Sequence, residues 1–224
     1  MLTFYRGLAV SKASADAVMA DIRARGLHEY GRSYNLYHQP LAEPEKLFAK
    51  PDLTTEDTRG KHLPTEPAIC ACGDEEGAAH YAWRHNRHGE DDTPLMVAFE
   101  APVEDVAVDG RDFLYAAFQI GRPDRARDVL RQVFGPRVLR YAERAWDRKV
   151  GQHDIAMCDL AIIDPEVVAA HHANRTVLGG RHQTVFRSAF TVRMPVEPGR
   201  IVRVWSPEVA PRPAVPEFTL DAVR

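Results

Sequence analysis

The sequence predicts an α+β fold, with a mostly antiparallel β core flanked by helices. Short apolar or alternating runs bounded by Gly and Pro, such as residues 2–6 and 95–99, indicate strands. A helical repeat between Ser14 and Gly26 and a cation-rich stretch over residues 122–150 indicate helices. With 224 residues, 45% of them hydrophobic, the chain can bury a core without a metal or a disulfide framework.

Composition narrows the classes of protein to which this chain can belong. Charged residues make up 27% of the chain, which is ordinary for a soluble globular protein and untypical of a fibre. No apolar run reaches the roughly 18 residues of a membrane helix, and the N-terminus lacks the pattern of a signal peptide. A net charge of -3 gives no global attraction to nucleic acid or membrane. We therefore expect a cytoplasmic protein without a membrane segment.

The N-terminal region predicts one strand, one helix and a long excursion. Residues 2–6 form the strand, and Gly7 is expected to end it. In the helix that follows, Ser14 is expected to accept from the first free N–H groups, and Gly26 to take the left-handed exit conformation. Residues 28–67 hold five prolines and little periodicity, so we expect a functional loop there, with a short helix over residues 44–49.

The middle of the chain predicts further strands around one helix. Residues 68–72 indicate a strand that ends at Gly73, and residues 74–85 indicate a helix with acidic residues at its positive end. Asp109-Gly110 is a turn dipeptide, which favours a hairpin between strands at residues 103–108 and 113–118.

The C-terminal half predicts a helical region followed by strands. Gly135-Pro136 is expected to interrupt the helical residues 122–150. Strands are predicted at residues 155–163, 184–192 and 201–205, a helix at residues 165–173, and an extended tail from Pro207.

Three segments carry chemical information when they are taken in order. The first is Phe4-Tyr5-Arg6-Gly7, the second is Cys70-Ala71-Cys72-Gly73 followed by Ala79-His80-Tyr81-Ala82, and the third is Asp109-Gly110-Arg111-Asp112-Phe113. Together they resemble the ADP-ribosyltransferase fold. The resemblance covers about the first 120 residues, and it implies a split β core. Residues 1–121 would be the NAD-binding core, and residues 122–224 would pack on it as one unit.

The resemblance also implies roles for individual residues. Arg6 would hold NAD, and Tyr81 would stack on nicotinamide. Cys70-Ala71-Cys72 would stand where many members have Ser-Thr-Ser, and Cys70 and Cys72 would line the floor of the site. The implied NAD-binding residues are Tyr5, Arg6, Gly7, Cys70, Ala71, Cys72, His80 and Tyr81. Asp109 or Asp112 would orient the ribose in place of the family's Glu motif, with Gln119 and Glu100 as further substitutes.

The chemistry of these residue types fits NAD. Arg6 can hold a phosphate bidentately, and the adjacent Gly7 would let a ligand approach the backbone closely. Cleavage of the nicotinamide–ribose bond builds positive charge on the ribose, which a fixed carboxylate such as Asp109 or Asp112 would stabilise. Neither the spacing of Cys70 and Cys72 nor that of the histidines suits a metal site, so no metal is expected.

A second surface favours contact with a macromolecule. Four arginines of one predicted helix share a face: Arg137, Arg140, Arg144 and Arg148. Such a face suits the phosphates of a nucleic acid, an acidic protein, or solvent. His171 and His172 are expected at the surface or facing a partner.

The expected function is mono-ADP-ribosyl transfer from NAD to a protein or nucleic-acid acceptor, which is typical of a toxin or effector. The alternative is a non-catalytic or NAD-independent protein that binds nucleic acid or phosphate on the same scaffold. The sequence does not identify the acceptor.

Overall fold

The structure, a computed structural model, describes residues 1–28, 34–36, 44–51, 53–59, 66–85, 89–119, 123–148, 153–180 and 183–223. The strands are β1 (Leu2–Val10), β2 (Tyr34–Leu36), β3 (Glu66–Cys72), β4 (Thr93–Ala101), β5 (Val106–Val108), β6 (Leu178–Gly179), β7 (Val185–Phe186), β8 (Ala189–Arg193), β9 (Ile201–Trp205) and β10 (Phe218–Thr219). The α-helices are α1 (Ala15–Arg25), α2 (Pro44–Ala49), α3 (Thr55–Arg59), α4 (Glu75–His80), α5 (Arg111–Gln119), α6 (Pro123–Phe134), α7 (Val138–Arg148), α8 (His153–Ile163), α9 (Pro165–His172) and α10 (Leu220–Val223).

The architecture is α+β, as the sequence predicts. Six antiparallel strands form the main sheet in the order β5-β8-β3-β1-β4-β9, and β2 pairs with β3. Strands β8 and β9, from the second half of the chain, thus pair with strands of the first half. A smaller sheet has the order β10-β6-β7, and its β10–β6 pair is parallel. One large hydrophobic core joins the main sheet to helices α5–α9.

The main sheet opens between β1 and β3. Strand β1 pairs with β4 along its whole length but with β3 only at Tyr5, opposite Cys72. The other end of β3 pairs instead with β2, at residues 66–68. The two halves of the sheet therefore separate just beyond Tyr5, in the region where the sequence places its first two motifs.

The first strand is longer than the sequence suggests. Strand β1 continues through Gly7 to Val10, because Gly7 stays in register with Met96 of β4. A Cβ atom at Gly7 would lie 2.0 Å from the carbonyl oxygen of Ala78, so the residue must be glycine for α4 to pack on β1. The expected close approach to Gly7 is thus made by the protein's own helix.

Helix α1 ends at the expected residue, but neither cap has the expected form. Gly26 has a φ of 78°, which favours glycine, but its ψ of -159° lies outside the left-handed helical region. Ser14 makes no capping bond to the helix, because its hydroxyl donates to the carbonyl oxygen of Ser11 instead. The short helix α2 lies where residues 44–49 predict it, and α3 follows it. Much of the rest of the predicted loop lies outside the described residues.

Two segments predicted as strands are helices. Residues 113–118 belong to α5, with Phe113, Leu114, Ala117 and Phe118 buried on one face, so Asp109-Gly110 joins a strand to a helix and not two strands. Residues 155–163 belong to α8, which is buried on most of its surface. Short, continuously apolar runs have no periodicity that separates a buried helix from a buried strand.

Other predicted elements need smaller corrections. Residues 103–105 form a 3-10 turn before β5, and residues 184–192 divide between β7 and β8, which belong to different sheets. The break at Gly135-Pro136 is confirmed, since α6 ends at Phe134 and Gly135 has a φ of 80°. The helix predicted at residues 165–173 is confirmed as α9, and the strand at residues 201–205 as β9.

Candidate functional site

The opening between β1 and β3 contains a compact group of polar side chains. Arg6, only 5% exposed, donates from Nη1 to the carbonyl oxygen of Cys70 at 2.7 Å. The Cys70 thiol donates in turn to Oδ2 of Asp109 at 3.2 Å. We call Arg6, Cys70, Cys72 and Asp109 the Arg6 cluster. Residues predicted from three separate segments of the sequence therefore lie together.

Strand geometry explains why Arg6 reaches Cys70. The backbone of β3 pairs with β2 before Cys70 and with β1 after it, so the carbonyl of Cys70 falls between the two pairings. A buried carbonyl without a hydrogen bond costs about 1–3 kcal/mol, and the Arg6 guanidinium satisfies this one. Arg6 thus links the two halves of the sheet.

Asp109 follows β5 directly and is held at the end of the sheet. Its N–H donates to the carbonyl oxygen of Ala189 at 2.7 Å. Burial raises the pKa of the Asp109 carboxyl, the neighbouring Asp112 acts in the same direction, and the Cys70 thiol and Arg111 oppose the rise. Asp112 itself lies in the first turn of α5. Of the two candidate acids, Asp109 is the one that accepts a hydrogen bond from Cys70 within the cluster.

The two thiols of the cluster are not activated nucleophiles. Burial, followed by the nearby Asp109 carboxyl, raises the pKa of Cys70. Burial, followed by the Asp74 carboxyl, raises the pKa of Cys72. Both side chains are therefore protonated at neutral pH, which agrees with a role as lining of the site and not as attacking groups.

Tyr81 follows α4 directly and packs against a small apolar cluster. It opens a π-helical turn, Tyr81–His85, and packs with Tyr5 against Cys72, Ala78 and Met96. The ring of His80 meets it edge-on at a centroid distance of 5.9 Å. Tyr81 is half-buried, so the stacking role that the resemblance implies stays a prediction.

An open cleft lies beyond Cys72, at the start of α4. It is open to solvent, and we call it the Arg187 cleft. Its lining consists of Asp74, Glu76, Gly77, His80, Val177, Val185, Phe186, Arg187, Pro211, Arg212 and Ala214. Among the predicted NAD-binding residues only His80 lines this cleft. The sequence does not single out Arg212, because it lies in no recognisable motif.

Ion pairs cross the Arg187 cleft. Nη1 of Arg187 lies 3.3 Å from Oδ1 of Asp74 and 2.8 Å from Oε2 of Glu76. Asp74 also caps α4 by accepting from the N–H of Gly77 at 2.8 Å. The hydrogen bonds to Glu76 and the charge of Asp74 raise the pKa of Arg187 above its ordinary value, so this cation is permanent.

Two further residues, one acid and one amide, are possible substitutes for the family's Glu motif. Glu100 is exposed on β4, opposite Thr3. Helix α5 ends at Gln119, whose side chain lies outside the described residues. Glu100 does not line the Arg187 cleft.

The basic face of α7 has intramolecular partners. Arg137 pairs with the buried Asp164 at 2.5 Å, and Arg140 lies over the Phe48 ring at 4.2 Å from its centroid. Arg144 bonds the carbonyl oxygen of Lys50, and the side chain of Arg148 lies outside the described residues. Contact of this face with a macromolecule stays a prediction.

The two adjacent histidines are not surface residues. His171 is fully buried, with Nδ1 donating to the carbonyl oxygen of Val133 and Nε2 accepting from the N–H of Ala189. Burial lowers the pKa of His171 to about 4. Nε2 of His172 donates to the carbonyl oxygen of Thr3 at 2.7 Å. Both positions face inward because α9 packs beside the main sheet.

In the described part of the chain, no group of three or more His, Cys, Asp or Glu side chains could hold a metal ion. No described helix combines the length and apolar character that crossing a membrane requires. Comparisons with models of known protein families, with curated proteins and with solved structures found no match.

Proposed function

We propose that the protein transfers ADP-ribose from NAD to a macromolecular acceptor, at the opening between β1 and β3. The observation that carries the proposal is the meeting of Arg6, Cys70 and Asp109 in the Arg6 cluster. The resemblance to ADP-ribosyltransferases assigns NAD-related roles to all three, although they lie far apart in the sequence. An arginine fork and a carboxylate in one opening are what a dinucleotide and a developing ribose cation require.

Arg6 is suited to hold the pyrophosphate of NAD. A guanidinium has five N–H donors in a rigid fork, and the bond to Cys70 fixes the orientation of that fork. Because Arg6 is buried, its charge is weakly screened by water, which strengthens its attraction for an entering phosphate.

Asp109 is the acid that we assign to the ribose. It stabilises positive charge only when it is ionised, and its pKa lies above the ordinary carboxyl value of 3.8. Activity should therefore fall as pH decreases through this raised pKa, and Asp109→Asn should abolish nicotinamide release. Asp112→Asn is the matched control, because Asp112 makes no hydrogen bond to Cys70 in the described structure.

The binding test is calorimetry with NAD on the wild type and on Arg6→Lys, with nicotinamide release followed in the same samples. Lysine keeps the charge but loses the fork, so we expect NAD affinity to fall at least about tenfold. Arg23→Gln is the control, because Arg23 also donates to a strand carbonyl, that of Val204, but from α1. Thermal melts of each variant separate lost binding from lost folding. Absence of wild-type binding at millimolar NAD would refute the proposal.

A second function, nucleotide binding without NAD cleavage, is favoured by one observation. The Asp109 carboxyl is occupied by the Cys70 thiol, and burial favours its protonated form. If NAD binds but no nicotinamide is released, even with a cell lysate as a source of acceptors, this second function replaces the first.

A further inference from the structure

A proline-rich segment near the C-terminus forms one wall of the Arg187 cleft. Residues 207–216, which we call the strap, connect β9 to β10 and include Pro207, Pro211, Pro213 and Pro216. Three strap residues, Pro211, Arg212 and Ala214, line the cleft.

The strap is fastened at its two ends. Before it, the hydroxyl of Ser206 donates to the carbonyl oxygen of Pro94 at 2.9 Å. After it, the N–H of Glu217 donates to the carbonyl oxygen of Val177 at 2.8 Å. Between these points, no hydrogen bond or ion pair to a described residue holds residues 207–216. Segments with few such bonds open at low free-energy cost, and the prolines limit the entropy that closure would lose.

Most residues of the strap are exposed to solvent. Val209 and Val215 are 79% and 82% exposed, so these apolar side chains of the strap do not pack into the hydrophobic core. Arg212 is also exposed and has no ion-pair partner among the described residues. It contrasts with Arg187 across the cleft, which is already paired with Asp74 and Glu76.

The mixed lining of the cleft matches the parts of a nucleotide. Phe186 and Pro211 offer apolar surface for a base, and carboxylates such as Glu76 accept hydrogen bonds from ribose hydroxyls. Arg212 supplies a cation that can bind a phosphate through two parallel N–H bonds.

We propose that the strap closes over a nucleotide in the Arg187 cleft and that Arg212 binds a phosphate of that nucleotide. The inference rests on the proposed function, because NAD contains the ADP group that the strap would cover. It adds a binding residue and a moving element that the resemblance does not include.

The test uses ADP as the probe and two readouts. Hydrogen exchange is measured for the peptide containing residues 206–217, with and without saturating ADP, and ADP affinity is measured by calorimetry. We expect strap amides to exchange at least about tenfold more slowly with ADP, and Arg212→Gln to weaken ADP binding at least about tenfold. Arg203→Gln is the control, since this exposed arginine lies over Trp205 outside the cleft, and we expect less than about a twofold change.

The outcomes separate this inference from the proposed function. Unchanged strap exchange, an unaffected Arg212→Gln affinity, or no ADP binding by the wild type would each overturn the inference. If these results appear while NAD still binds through Arg6 and releases nicotinamide, the proposed function stands alone. If ADP protects the strap through Arg212 but NAD is not cleaved, the inference stands and transfer is refuted.

Discussion

The Arg6 cluster and the Arg187 cleft lie at the two ends of one short segment, residues 70–74, yet they satisfy their charges differently. In the cluster, Arg6 is 5% exposed and the two thiols are protonated. In the cleft, the Glu76 side chain is 69% exposed, so its bond to Arg187 competes with water. The cluster is therefore fixed in advance, whereas the cleft can exchange an internal ion pair for a ligand. A site that binds and then closes needs both properties.

The largest effect on stability is expected from a substitution of Gly7, the residue of β1 on which α4 packs. In Gly7→Ala the new Cβ would meet the Ala78 carbonyl oxygen at 2.0 Å, and backbone cannot yield as a side chain does. We expect a loss of more than about 3 kcal/mol in the free energy of unfolding, measured by urea denaturation. Gly199→Ala is the control, since nothing lies within 4 Å of its Cβ position. Equal stability of the two variants would contradict the described packing.

The next largest effect is a decrease in the free energy of unfolding at acid pH, caused by protonation of His171. Its Nε2 accepts from the N–H of Ala189, the residue whose carbonyl oxygen accepts from Asp109. The pKa of His171 is lowered from 6.5 to about 4 by burial, so the unfolded chain binds a proton first as pH falls. Stability should be complete above pH 6.5 and should decline by about 3 kcal/mol as pH falls to about 4.

Unfolding at a series of pH values checks this prediction. In His171→Gln this part of the acid dependence should vanish, whereas His172→Gln, which keeps His171, should retain it. The same slope in wild type and His171→Gln would show that His171 does not titrate as described.

A smaller effect is expected in thiol chemistry. The pKa of each of the three cysteines is raised, chiefly by burial, so few thiolates form at neutral pH. Alkylation of the native protein should be on the order of a hundredfold slower than that of the unfolded protein, as followed by mass spectrometry. Rapid labelling of Cys70 in the native state would show that its thiol is activated, which contradicts its raised pKa.

The smallest effect is expected from the ion pairs of the cleft. Arg187→Gln should change the free energy of unfolding by less than about 1 kcal/mol, because Glu76 is exposed and the pair is screened. The matched variant Arg137→Gln should cost about 3 kcal/mol, because Asp164 is 1% exposed and would lose its cation. Equal losses for the two variants would show that the cleft is as rigid as the core.

The sequence anticipates the fold where local chemistry decides it. The end of α1 at Gly26 and the break at Gly135-Pro136 are local signals, and each lies where the sequence predicts it. The sequence predicts strands where the structure has α5 and α8. Their apolar runs are too short and continuous to show a helical period, so the packing of the core and not the local pattern determines that they are helices.

In the candidate site, too, the residues in local motifs could be predicted, whereas contacts between distant segments could not. Arg6, Cys70 and Asp109 could be selected because they lie in motifs. The sequence could not predict that α4 packs against Gly7, because Ala78 lies about 70 residues further along the chain. Arg212 lies in no motif, and the fold alone brings it to the start of α4 beside Arg187.

The most direct test of the central claim is a crystal structure of the protein with bound NAD. We predict that the dinucleotide extends from the opening between β1 and β3 into the Arg187 cleft, with Arg6 contacting the pyrophosphate and Asp109 within hydrogen-bonding distance of the nicotinamide ribose. NAD bound elsewhere on the protein, or an opening without NAD in crystals saturated with it, would contradict the account.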